Sequence, residues 1–280
     1  MLVFLNRTFP GMSMHNTLLA VSLGNTRTKV SAVVEGRMDA LAAVPNGDAA
    51  ALGEALRRAV GSLGAYPDAP VVLASVNPPL LPAILRLLQT EAPGREVLRT
   101  EEGLVIPIGR QLDPESLVGE DRLLNAAAAH GLLKQACVVV DAGTAMTVDL
   151  VDGAGTFHGG AILPGAGTML AALAGRTAQL PEVELRKPQE CIGHNTQEAL
   201  RCGAFYGLRG AVRELVEQYA ARIGQYPLVV ATGGDAELLF EGFELVDRLV
   251  PDLTLRGIAL TWAHAAECSQ EEAQAEGEEE

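Results

Sequence analysis

The chain has 280 residues, 48% of them hydrophobic and 20% charged, so it can bury a substantial core and is not a disordered protein. Its net charge of −14 argues against nucleic acid as a partner, because phosphate backbones are met by basic faces. No stretch approaches the ~20 apolar residues of a membrane helix, and the opening MLVFLNRTFPG is too short an apolar run for a secretory signal.

In chain order, the first strand begins near Thr17, so residues 1–16 read as a disordered or mis-assigned extension, with Met12 or Met14 as the true start. LLAVSL (18–23) and KVSAVV (29–34) read as a hairpin-like pair of strands around a GNTRT turn. Apolar residues at helical spacing fill 47–66, and PVVLASV (70–76) is a β-branched run ended by Asn77-Pro78-Pro79. PLLPAILRLLQTEA reads as a helix, and GEDRLLNAAAAHG (119–131) opens another. CVVVDAGTAMTVDLVD (137–152) is strand, glycine turn, strand, and GAGTFHGGAILPG (153–165) adds a third strand. Helices follow in GTMLAALAGRTAQL and over 195–224, and PLVVATGGDAELL (227–239) is strand, Gly-Gly turn and helix start. Such alternation builds a layered α/β fold with helices packed on mixed sheets. The end, ECSQEEAQAEGEEE (267–280), is acidic without apolar periodicity and reads as a frayed, solvated tail. Cys137, Cys191, Cys202 and Cys268 have neither paired nor metal-ligand spacing; Cys137 and Cys202 read as small buried residues.

One pattern occurs twice. SLGNTRTKV and DAGTAMTVDL both set a Gly-(x)-Thr turn between β-branched strands, with Gly24 and Gly143 119 positions apart. Two such units at domain-sized separation suggest two related lobes with a nucleotide between them. Gly24, Asn25 and Thr26 can offer backbone and hydroxyl donors to phosphate, as can Gly143 and Thr144. Two residues before each glycine stand Ser22 and Asp141. Asp141 reads as a metal or cation ligand, or as an acceptor of turn N–H bonds. In the helix opening at 119–131, Glu120 and Asp121 suit the positive end of the helix dipole. Arg122 does not, and a cation placed there suggests a bound carboxylate or a specific ion pair. His130 and His158 read as structural or surface histidines, and His194 as part of a helix entry.

These pieces resemble the type III pantothenate kinases, members of the superfamily of acetate kinase, sugar kinases, Hsp70 and actin. The resemblance runs from about Leu18 to Trp262 through GNT (24–26), VGEDR (118–122), VVDAGTAMTVDLVD (139–152), GGAILPG (159–165), RTAQLPEVEL (176–185), IGHNTQEALRCGAFYGL (192–208), ATGG (231–234) and PDLTLRGIAL (251–260). It implies two ribonuclease H-like lobes of the actin-like ATPase kind, over 17–125 and 126–266, the second carrying a dimer-forming helix. It also implies ATP-dependent phosphorylation of pantothenate to 4'-phosphopantothenate, the first step of coenzyme A synthesis, by a cytoplasmic homodimer. Ser22, Gly24, Asn25, Thr26, Lys29, Gly143 and Thr144 would hold ATP phosphates, with Gly233 and Gly234 against the adenosine. Asp121 would be the base, and Arg122 would meet the substrate carboxylate. Gly119, Gly159, Gly160, Arg176 and Thr177 would complete the pantothenate site, Thr177 reaching it in the neighbouring subunit. Asp141 would hold a monovalent cation, K⁺ or NH₄⁺, or help with Mg²⁺.

Two positions depart from the family pattern. Ser22 stands where members usually carry Asp, and Gln111-Leu112 stand where an aromatic residue commonly precedes VG-x-DR. Ser22 leaves open a second reading, a weakly active or inactive homologue kept as a binding or regulatory protein. The missing aromatic leaves open a third, phosphorylation of another small acceptor.

Overall fold

The computed structural model describes residues 16–278. The first elements are β1 (Leu18–Leu23), β2 (Arg27–Val34), β3 (Arg37–Pro45), α1 (Ala49–Ser62), β4 (Val71–Ser75) and α2 (Leu81–Glu91). Next come β5 (Val97–Arg99), β6 (Gly109–Arg110), α3 (Glu120–Leu133), β7 (Cys137–Ala142), β8 (Ala145–Val151) and β9 (Thr156–Pro164). The rest are α4 (Ala166–Arg176), α5 (Thr196–Ile223), β10 (Leu228–Thr232), α6 (Ala236–Phe240), β11 (Arg248–Leu249) and α7 (Leu253–Glu278).

Two compact units result. One gathers residues 16–108, 115–132 and 253–278; the other holds Gly109–Pro114 and Leu133–Asp252. The expected division at residue 125, with everything to 266 in the second lobe, followed chain order. Here α3 and α7 belong to the first unit instead.

In the first unit the sheet runs β3-β2-β1-β4-β5, with β1 antiparallel to β2 and parallel to β4. Leu19, Val21 and Leu23 of β1 alternate onto one face and pack with Leu52, Leu56, Ile84 and Leu88 of α1 and α2. Leu18 and Ala20 point to the other face, over which α7 lies, and are fully buried. With both faces covered, β1 reads as a near-continuous apolar run, broken only by Ser22, rather than an alternation. Where α7 crosses α3, a Cβ on Gly257 would sit 2.3 Å from the Leu124 carbonyl oxygen, so only glycine permits this approach. Asp48 starts α1 by accepting the Ala51 N–H at 2.9 Å, and Pro82 suits the first turn of α2.

The second sheet runs β11-β10-β7-β8-β9-β6. Set β6 aside, and order and sense match the first sheet: three antiparallel strands β9-β8-β7, then β10 and β11 parallel to β7. This repeated 3-2-1-4-5 order is the two-lobed ribonuclease H-like architecture expected from the sequence. Its core sets Val138, Val140, Met146 and Val148 against Phe205, Leu208 and Val212 of α5 and Leu239 and Phe240 of α6. Asn195 caps α5 by accepting the Glu198 N–H at 2.9 Å, and Gly224 ends it at φ 71°.

Some elements differ from expectation. β3 went unread because its sequence, RMDALAAVP, lacks a strong apolar stripe, and β5, β6 and β11 are two or three residues long, too short to carry a period. The segment from Glu267, expected to fray, continues α7 as far as Glu278. Its Glu, Gln and Ala are good helix formers, and extending a helix is easier than starting one. The expectation for residues 1–15 lies outside the described residues. Cys137 and Cys202 are buried as expected, whereas Cys191 and Cys268 are exposed. Burial pushes the Cys137 thiol up to about 12, which leaves it unreactive at neutral pH. Among the described residues no helix is long and apolar enough to cross a membrane.

Candidate active site

The first turn reverses β1 into β2 at Gly24, Asn25 and Thr26. Gly24 donates to the Arg27 carbonyl at 3.0 Å, and a Cβ there would lie 3.0 Å from the same oxygen. Asn46 donates to the carbonyls of Gly24 and Asn25 at 2.9 and 3.1 Å, and Asn77 to both at 3.4 Å. The Thr28 hydroxyl holds Asn46 in place at 2.8 Å. In a trans peptide the N–H points opposite to the C=O. Tying those two carbonyls to the asparagines therefore turns the N–H groups of Asn25 and Thr26 away from them, at an exposed reversal. Ser22 lies on β1, buried, directly between Lys29 of β2 and Ala74 of β4.

Nearby in the same unit, α3 starts with Glu120, Asp121 and Arg122. Asp121 Oδ1 accepts the Arg122 N–H at 2.8 Å, and that N–H also bonds the Gly119 carbonyl at 3.1 Å. A Cβ on Gly119 would sit 2.6 Å from Asp121 Oδ1, so glycine makes room for the carboxylate. Both side chains are half-buried at the positive end of the helix, where an acid is favoured.

In the second unit, the β7–β8 reversal holds Gly143 and Thr144. Gly165 donates to the Thr144 carbonyl at 3.0 Å and leaves no space for a side chain, since a Cβ would fall 1.9 Å from the Gly143 oxygen. The Thr168 hydroxyl donates to the same Thr144 carbonyl at 2.6 Å. Gly233, at φ 101°, lies against Ala142, and Asp235 donates to the Ala142 carbonyl at 3.0 Å. The ends of β7 and β10 thus bring Asp141, Gly143, Thr144, Gly233 and Gly234 to one edge of the sheet. Gly159, at φ 82°, and Gly160 lie on β9, where a Cβ on Gly160 would meet the Val148 oxygen at 2.0 Å.

Strand pairing places Asp141 directly between Thr232 of β10 and Thr147 of β8. The hydroxyl oxygens of both threonines are buried with no hydrogen-bond partner. One carboxylate flanked by two orphaned hydroxyls is an oxygen set that fits a hard cation. Among the described residues no cluster of three or more His, Cys, Asp or Glu could hold a metal by itself.

Arg176 and Thr177 do not join this edge. α4 starts beside Thr144, and Arg176 ends its 11 residues, ~16 Å along the axis. The Thr177 hydroxyl instead donates to the Leu173 carbonyl at 2.9 Å. His158 pairs with Asp152 at 2.8 Å, in keeping with a structural histidine. Sequence reasoning missed Asn46, Asn77, Thr147 and Thr232. Asn77-Pro78-Pro79 read only as the end of a strand, Asn46 stood outside every expected element, and the threonines read as ordinary strand residues.

Comparison with known proteins agrees with this layout. A Campylobacter jejuni chain assigned to the Baf family of transcriptional activators superposes with a TM-score of 0.55 at 18% identity, covering 89% of this chain and 100% of that one. A Sinorhizobium meliloti chain described as a 2-dehydro-3-deoxygalactonokinase gives 0.50 at 15%, covering 89% and 99%. At such identities these show the shared fold alone. The family model for type III pantothenate kinase matches residues 18–218. A type III pantothenate kinase of Dehalococcoides mccartyi is 34% identical over 254 residues, 89% of this chain and 98% of the relative. One of Parafrankia is 38% identical over 251 residues, 88% and 97%. The chain therefore belongs to the type III pantothenate kinase family.

Proposed function

We propose that this chain is a kinase that transfers the γ-phosphoryl group of ATP to the terminal hydroxyl of pantothenate, opening the route to coenzyme A. The observation that carries the reading is the repeated glycine turn. Each stands at the same reversal of a 3-2-1-4-5 sheet, and the chain resembles the family over nearly its whole length. Phosphoryl transfer asks a protein mainly for positioning and charge stabilisation.

Gly24, Asn25 and Thr26, with Lys29, would hold one set of phosphate oxygens, and Gly143 and Thr144 another. Gly233 and Gly234 would flank the adenosine. Asp121 would accept the proton of the attacking hydroxyl, and Arg122, Gly119, Gly159 and Gly160 would bind pantothenate. Asp141 with the hydroxyls of Thr147 and Thr232 would hold K⁺ or NH₄⁺, or assist Mg²⁺. The cations would offset phosphate charge. A cytoplasmic location goes with this reading, and four free cysteines support it, because disulfides persist in oxidising compartments.

A homodimer also belongs to the proposal. Arg176 and Thr177 lie at the end of α4 remote from the Gly143 turn, which suits a role in a neighbouring subunit's site. On α5, Gly203, Gly207 and Gly210 face open space beside exposed Tyr206, a surface that admits close helix approach. Sedimentation equilibrium is expected to give twice the mass of the 29.3 kDa chain. A monomer at micromolar concentration would rule out the shared site.

The activity is tested by a coupled assay with ATP, Mg²⁺, K⁺ and pantothenate. Turnover is expected. Ser22→Asp restores a carboxylate beside Lys29 and is expected to lower the Mg²⁺ needed for half-maximal rate about tenfold, since added ligand charge tightens divalent binding. An unchanged Mg²⁺ dependence would mean that position 22 does not face the Mg²⁺ that accompanies the ATP phosphates. No turnover of pantothenate, with turnover of another hydroxy acid, would move the acceptor. No turnover of any acceptor would leave a binding protein.

A further inference from the structure

We infer that Glu120 is a positioning residue: it ties the start of α3, which carries Asp121 and Arg122, to the phosphate turn at 24–26 through the exit of β4. The inference rests on the kinase reading for its consequence and on the first unit alone for its geometry.

The link is a short chain of contacts. The Glu120 carboxylate accepts a hydrogen bond from the hydroxyl of Thr100, a fully buried residue whose own N–H bonds the Leu73 carbonyl of β4 at 3.1 Å. The backbone N–H of Ser75, the last residue of β4, faces the same carboxylate and acts to lower its pKa. The Ser75 hydroxyl in turn accepts the Asn77 N–H at 3.2 Å. Asn77 reaches the carbonyls of Gly24 and Asn25 at 3.4 Å. Val76, between them, donates to the Leu23 carbonyl at 3.0 Å, and its Cγ1 would lie 3.6 Å from a Cβ on Gly119. Residues 75–77 are thus gripped on one side by the start of α3 and on the other by the turn.

A purely stabilising role fits Glu120 poorly. Burial, with a smaller push from the Glu101 charge, raises its pKa, outweighing the lowering by Thr100, the Ser75 N–H and the Arg99 charge. A carboxyl with a raised folded pKa stabilises the fold when protonated, and that contribution is lost as pH rises through the folded value. At neutral pH its charge therefore weakens the fold it sits in. Strain of this kind is characteristic of groups held for function.

The test compares Glu120→Ala with Glu120→Gln. A glutamine can accept from the Ser75 N–H and donate to the Thr100 hydroxyl, so it keeps the link without the charge; alanine cuts it. Hydrogen exchange reads the link without any need for catalysis. In Glu120→Ala the hydrogen-bonded amides within 24–28, first that of Gly24, which donates to the Arg27 carbonyl, are expected to exchange about tenfold faster, as local opening becomes easier, although Glu120 is remote from them in sequence. Its kcat is expected to fall roughly 10- to 100-fold, the cost of small misplacements at a reacting centre, with KM for pantothenate within about twofold of wild type. Glu120→Gln is expected to restore both readings and to melt at or above the wild-type temperature at pH 8. Unchanged exchange at 24–28 in Glu120→Ala, or a Glu120→Gln protein as impaired as the alanine variant, would overturn the inference and leave the kinase reading standing. Faster exchange in a chain that never phosphorylates pantothenate would do the reverse: the mechanical link would hold and the kinase reading would fall.

Discussion

Asp121→Asn is expected to lower kcat by roughly 10²- to 10⁴-fold, the usual contribution of a positioned general base, with little change in stability or in KM for ATP. Asparagine has the same size and can still accept the Arg122 N–H that Asp121 accepts at 2.8 Å. It serves the start of a helix about as well as aspartate. What it lacks is a lone pair basic enough to take the hydroxyl proton. The comparison therefore separates two roles open to this position. If Asp121 only favours the helix terminus, the asparagine enzyme keeps most of its activity and the base lies elsewhere. Steady-state kinetics and a melting curve on the same preparation decide between them.

Gly233→Ala is expected to cost about 2–4 kcal/mol of stability, combining backbone strain with overpacking, and to abolish measurable ATP binding. Its φ of 101° disfavours any side chain, and a Cβ would fall 2.4 Å from the Ala142 oxygen and 2.6 Å from the Ala142 carbon and nitrogen. The new methyl has backbone on its far side, which cannot swing aside. Relief requires β7 and β10 to part at the edge that carries Asp141, Gly143 and Thr144. Gly234 is the control, because a Cβ there meets nothing within 4 Å. Gly234→Ala is expected to stay within about 0.5 kcal/mol of wild type, as surface substitutions do. Urea denaturation and ATP titration of both variants test the claim. Equal stability of the two would mean that the β10–α6 turn adapts and that the closeness of Gly233 to Ala142 carries no weight.

Much of the site was legible because its residue types answer local demands. Gly24 and Gly143 mark reversals where the chain folds back within a few residues. Asp121 and Arg122 stand out because charge at a helix start has a sign to obey, and Arg122 disobeys it. The supports were not legible. Asn46 and Asn77 brace the first turn from 22 and 53 positions away, and nothing local distinguishes them from ordinary loop asparagines. Thr147 and Thr232 flank Asp141 only because β8 and β10 pair with β7 on either side. A threonine in a strand reads as a propensity choice until the register is known.

By itself the sequence determined the α/β class, most elements longer than a few residues, the doubled turn and the family. These rest on apolar period, glycine placement and motif order, which are properties of contiguous residues. Only the tertiary structure decided that α3 and α7 complete the first unit. It also decided that Asp141 has two orphaned hydroxyls beside it and that Glu120 accepts the hydroxyl of Thr100, 20 positions away. Each of those follows from which segments lie side by side after folding. That choice is made by burial of whole faces, as when α7 covers β1, and no single stretch of chain contains it.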